Sequence, residues 1–86
     1  MRHATDEDLA RLDDLLVRLR AIDGLVETKP GKFQRRSKAF IHFHEDAGDL
    51  YADIRHPDGW ERRRVSSAAE QKALVTEARE LLSSPR

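Results

Sequence analysis

The chain has no cysteine, which removes disulfides, thiolate metal ligands and cysteine nucleophiles from consideration. No run approaches the roughly 20 apolar residues that a membrane span requires. The stretch Met1-Arg2-His3-Ala4-Thr5-Asp6-Glu7-Asp8 lacks the apolar segment of a signal peptide. A cysteine-free chain without these features is expected in the cytoplasm and away from membranes. Net charge is also missing. Sixteen basic residues balance 16 acidic ones, so no global field draws the chain to nucleic acid. There is no Gly-rich phosphate loop and no Gly-x-Ser-x-Gly elbow. The chain therefore reads as a non-enzyme before it reads as an enzyme, and no catalytic residue is assigned.

What is present is charge in blocks. Thirty-seven per cent of the 86 residues are charged, against about a quarter in an average domain. A chain of this length buries only about 60% of the surface its unfolded form exposes, so its hydrophobes must be placed efficiently. One domain over residues 1–86 is expected, with an ordered core of about 5–83. Lys29, Lys32, Arg35, Arg36 and Lys38 occur in residues 29–44 without an acid. Residues 45–61 then carry six acids against Arg55, and Arg62-Arg63-Arg64 follows. Blocks of this kind suit strands that pair basic against acidic, or leave a basic patch on one edge.

Thr5 and Asp8 approximate a capping box, and the acids at 6–8 suit the positive end of a helix. Leu9, Leu12, Leu15, Leu16, Leu19 and Ile22 form one stripe at helical period, with Gly24 as the stop. One helix over 6–22 is predicted. Residues 25–35 form either one strand or two, with Pro30-Gly31 as a turn signal. Lys38–Glu45 is the clearest strand. It is followed by a turn at 46–49, a strand over 50–55, the turn His56-Pro57-Asp58-Gly59 and a last strand over 60–65. Ser67-Ala68-Ala69-Glu70 is a capping box that opens a second helix, with Leu74, Val75, Ala78, Leu81 and Leu82 on one stripe.

These elements predict an α+β fold of order α-β-β-β-(β)-α. It is a two-layer sandwich whose antiparallel sheet of three or four strands has two helices on one face. Alternation assigns Phe33, Ala39, Ile41, Phe43, Leu50, Ala52, Ile54 and Val65 to the covered face. It assigns Phe40, His42, His44, Tyr51, Asp53 and Arg55 to the open face, with Trp60 and Arg62 as further candidates. For Trp60, the one tryptophan, packing in the core or at its rim is the preferred expectation over the open face.

The open face carries the candidate chemistry. Imidazoles at i and i+2 on a strand project the same way, with Cα atoms roughly 7 Å apart. His42 and His44 therefore can present two nitrogens to one divalent metal ion. Asp53, on the partner strand opposite His42 or next to it, would complete a His-His-carboxylate set. The same imidazoles also suit a plain sheet surface, packed on Tyr51 and Phe40, or a small-ligand contact. A different reading joins Arg35, Arg36, Arg62 and Arg64 to Phe40 and Trp60 as a nucleic-acid surface, since aromatics stack bases and arginines hold phosphates. Against it, the arginine run also serves to protect an edge strand from pairing. Glu45, Asp46 and Asp49 read as turn chemistry. A homodimer through the sheet edge or open face is compatible with each reading.

The runs Ile22–Glu27, Lys38–Asp46 and Leu50–Arg55, with Phe33 and Gly59-Trp60, resemble small uncharacterised actinobacterial proteins. They are similar to the family labelled "luciferase domain", which has an His-x-His strand, a glycine turn and an Ala-Asp strand. The likeness covers roughly residues 9–82. It singles out His42, His44 and Asp53 and implies no light-emitting activity. The chain lacks the insert and second His region of that family before Gly59-Trp60. In element order alone it also resembles the frataxin-like fold of the MmcQ/YjbR family, whose members have been proposed to bind DNA. Fold analogy of that kind carries no function.

Overall fold

The computed structural model describes residues 1–83. The chain opens with a two-residue strand, β1 (Arg2–His3), and two short helices, α1 (Asp6–Ala10) and α2 (Asp13–Arg20). Five strands follow, β2 (Val26–Lys29), β3 (Lys32–Arg35), β4 (Lys38–Asp46), β5 (Asp49–His56) and β6 (Gly59–Arg64), and then α3 (Ala68–Ser83). The class is α+β with an antiparallel sheet. Among the described residues the counts correct the sequence-based expectation, with six strands for three or four and three helices for two.

Two-residue turns make β2 to β6 a meander in chain order. At Arg36-Ser37 and at Ala47-Gly48 both turn residues are left-handed, with φ of 52° and 67°, and of 51° and 86°. This matches the twist of the flanking strands. Asp46 pairs directly with Asp49, so the expected four-residue loop between β4 and β5 is shorter by its two end residues. Residues 25–35 form two strands, hinged at Pro30-Gly31. A Cβ on Gly31 would stand 2.7 Å from Leu9 Cδ2, and its φ is +75°, so a side chain here would be strained and would push Leu9 aside. β1 pairs with the far half of β4, Arg2 opposite Glu45 and His3 opposite His44.

The predicted single helix over 6–22 is two. The Arg11 and Leu12 amides donate three residues back, to the Asp8 and Leu9 carbonyls at 3.1 and 2.9 Å. The leucine spacing explains the break. Steps of three residues on an α-helix drift backwards by about 60° each, whereas a tightened turn eclipses residues three apart. Leu9, Leu12 and Leu15 thereby stay on the core side, and all three are buried. Both predicted capping boxes form, Thr5 with Asp8 and Ser67 with Glu70.

All three helices bury their apolar stripes against one sheet face. Leu12, Leu15, Leu19, Leu74 and Ala78 meet Phe33, Ile41, Phe43, Leu50, Ala52, Ile54 and Val65 in one core. Each buried Leu, Ile, Val or Phe among them contributes about 1.5–3 kcal/mol. One pair of assignments is reversed. Phe33 sits opposite Ile41 but Gln34 sits opposite Ala39, so Phe40 is the extra residue of a β-bulge. The bulge turns Phe40 into the core, 2% exposed, and leaves Ala39 outside. No helix among the described residues is long and apolar enough to cross a membrane.

Candidate functional site

The sheet face without helices is organised by cross-strand pairing. His42 lies opposite Asp53, and Asp53 opposite Arg62. His3, His44, Tyr51 and Arg64 form the next row, and Arg55 pairs with Trp60. Regular alternation on β4 from Ile41 onward puts both imidazoles on this face, because the bulge at Phe40 comes before them.

Asp53 is the hub. Its side chain is 12% exposed. Arg62 holds it in a fork, Nε to Oδ1 at 2.7 Å and Nη2 to Oδ2 at 2.9 Å. The same Oδ2 is 2.9 Å from His44 Nε2 and 3.9 Å from His42 Nδ1. The two ring nitrogens are 3.0 Å apart. His44 is itself only 9% exposed. The His42–His44 contact is a hydrogen bond whose donor is set by the ring tautomers.

A third imidazole joins them. The His3 ring centroid is 4.8 Å from that of His44 and 6.1 Å from that of His42. One nitrogen from each of the three rings lies within 4.8 Å of the others. β1 is held in place by the Ala4 amide donating to the Phe43 carbonyl at 3.1 Å. Arg2 adds ion pairs to Asp8 at 2.9 Å and Glu45 at 3.2 Å. On the other side of His42, the Trp60 ring lies 4.8 Å away. The Arg55 guanidinium sits 4.6 Å over that indole and donates through Nε to the Ala39 carbonyl at 2.8 Å.

The electrostatics favour the unprotonated donors. Burial holds the His42 imidazolium below the usual histidine value, and His44, His3 and Lys32 reinforce that effect while Asp53 opposes it. The Arg62 hydrogen bonds hold the Asp53 carboxyl below the usual carboxylate range, against the effect of burial. A neutral imidazole beside an ionised carboxylate is the state that a metal ion accepts as ligands.

Of the sequence-predicted residues, His42, His44, Asp53 and Arg62 meet in one cluster, with Tyr51 directly opposite His44. Trp60 lies over the open face, 41% exposed, rather than in the core. The nucleic-acid set is dispersed. Arg64 pairs with Asp49 at 2.9 Å and Glu70 at 3.3 Å, near the β4–β5 turn. Arg35 and Arg36 stand at the other end of the sheet, by the β3–β4 turn, and Phe40 is in the core. His3 is the residue that sequence reasoning missed. A two-residue strand has no periodicity to read, and the one available signal was a further histidine outside the hairpin. No family model, curated protein or solved structure matches the chain.

Proposed function

We propose that this protein binds a divalent transition-metal ion on the open face of its sheet, through His42, His44 and Asp53, with His3 as a fourth ligand. The observation that carries this reading is a length. The circle through His42 Nδ1, His44 Nε2 and Asp53 Oδ2, fixed by sides of 2.9, 3.0 and 3.9 Å, has a radius of about 2.0 Å, the length of a zinc–imidazole or zinc–carboxylate bond. One point at or just off that plane is therefore at bonding distance from all three donors with the side chains as they stand. His3, with one nitrogen within 4.8 Å of nitrogens of His42 and His44, brings a further donor to the same place. Arg62 acts behind the ligand set, fixing the carboxylate in the way that outer partners orient metal ligands.

The test is calorimetric titration of metal-stripped protein with zinc, cobalt and nickel salts, followed by NMR of the histidine rings. One ion per chain is expected, with resonances of His3, His42 and His44 shifting together and those of His56 remaining still. Unperturbed His42 and His44 rings at millimolar metal would end the proposal.

A further inference from the structure

The end of the sheet away from Arg64 carries a separate cavity. A space of about 480 Å³ opens between the β3–β4 and β5–β6 turns, within the range of small-molecule sites. Its cations are Arg35, Arg36, Lys38 and Arg55, and Asp58 is the sole carboxylate among the described lining residues. Its apolar wall is formed by Ala39, Pro57 and the half-buried Leu81, with Phe40, 2% exposed, contributing little surface. In a chain of zero net charge this is a local excess of positive charge around an apolar surface.

Three structural details show how the cavity is made. The bulge in β4 turns Phe40 inward from the face that simple alternation would give it, and bulges re-aim side chains next to functional sites. Arg36 and Ser37 hold two successive left-handed conformations without glycine, each at a cost of order 1 kcal/mol. That turn sets where Arg36 and Lys38 stand. Arg55 is held twice, by the Ala39 carbonyl and by the Trp60 ring. A guanidinium already fixed loses little freedom when it takes an oxyanion.

We infer that this cavity binds a small molecule with an oxyanion head, a carboxylate or phosphate monoester, and an apolar body. The cations recognise the head, and the wall of Ala39, Pro57 and Leu81 receives the body. A nucleic-acid strand fits less well. The cations surround a concavity and do not continue as a row, since Arg62 and Arg64 on the neighbouring strand are engaged with Asp53, Asp49 and Glu70. The inference is independent of the histidine centre.

The experiment is an amide NMR titration of the full chain in metal-stripped buffer at fixed ionic strength. The probes are phenyl phosphate, octanoate, inorganic phosphate, benzyl alcohol and a short oligonucleotide. At least one of phenyl phosphate and octanoate should bind saturably, moving the amides of Lys38, Ala39, Phe40 and Gly59. It should bind at least tenfold tighter than inorganic phosphate or benzyl alcohol, and the tighter of the two names the head group. Lys38→Glu and Arg55→Gln should each weaken that binding at least tenfold, with the remaining spectrum reporting an intact fold. Inorganic phosphate as tight as both amphiphiles, affinity unchanged in Lys38→Glu, or tighter binding of the oligonucleotide at the same amides would each overturn the inference.

Discussion

Two clusters of the same composition lie on opposite faces of one sheet. Arg62 and Arg63 are neighbours on β6, so their side chains leave on opposite sides. Each clamps a carboxylate with two hydrogen bonds, and each carboxylate takes a histidine. On the open face the set is Arg62, Asp53 and His44. On the helix face it is Arg63, Glu77 and His56, with the fork at 3.1 and 3.1 Å and His56 Nε2 2.6 Å from Glu77 Oε2. The difference is in where the carboxylate comes from and what surrounds it. Glu77 belongs to α3, so that cluster ties a helix to the sheet and ends there. Asp53 belongs to the sheet itself, and His42 and His3 stand beside it. On the proposed reading, the neighbours of an Arg–carboxylate–His group decide whether it ties elements together or binds an ion, here through the third and fourth donors.

Removing a donor should separate the two clusters most. His42→Ala or His44→Ala is expected to lower metal affinity by at least about 100-fold, more than the 10–100-fold typical of an outer partner. His56→Ala should leave it unchanged. Calorimetry on the three variants checks this, and an equal loss in all three would reduce the open-face cluster to a tie like the other.

The outer partners come next. Arg62→Gln should weaken metal binding by about tenfold through a looser Asp53, and Arg63→Gln should leave it alone. Stability should show the reverse asymmetry. Glu77→Gln, between partners that are 27% and 42% exposed, should cost about 1 kcal/mol in urea unfolding without altering metal affinity. A Glu77→Gln protein as stable as the parent would mean that the α3 cluster is ornamental and that apolar packing alone docks the helix.

How much of this was legible in the sequence follows from the same contrast. The period of two on β4 and β5 is local and strong, so the sequence alone puts His42, His44, Asp53 and Tyr51 on one face. The bulge at Phe40 is a register event between strands, and nothing in the order Lys38-Ala39-Phe40-Ile41 distinguishes it from regular alternation. The leucine stripe showed the helical face of residues 9–22 and concealed the break at Arg11-Leu12, because the tight turn serves the same stripe. The pairing of Glu77 with Arg63 and of His3 with His44 joins residues 14 and 41 positions apart, which charge patterns cannot register.

A third fork supplies the control with no histidine at all. Arg20 holds Glu27 through Nε at 2.6 Å and Nη2 at 3.1 Å, and the Gly31 amide adds a bond at 3.0 Å. The Arg20 hydrogen bond, then the Gly31 amide, holds the Glu27 carboxyl below its usual 4.5, with burial opposing. A carboxyl lowered in the folded state stabilises that state above its unfolded value, and the contribution is lost as pH falls through the folded value. Stability should therefore decline as pH drops below about 4.5, where Glu70 is lowered as well, before Asp8, Asp49 and Asp53 contribute below their own usual 3.8. Glu27→Gln should remove part of that early slope. The effect should stay under about 1 kcal/mol, since Arg20 is 44% exposed and screened by solvent. Urea midpoints from pH 6 to 3.5, roughly spanning the fall of a glutamate, measure it in metal-stripped protein. Identical slopes in parent and variant would show that a fork this exposed contributes nothing. The same discount would then apply to the exposed half of Arg62, leaving the histidines alone to account for the open face.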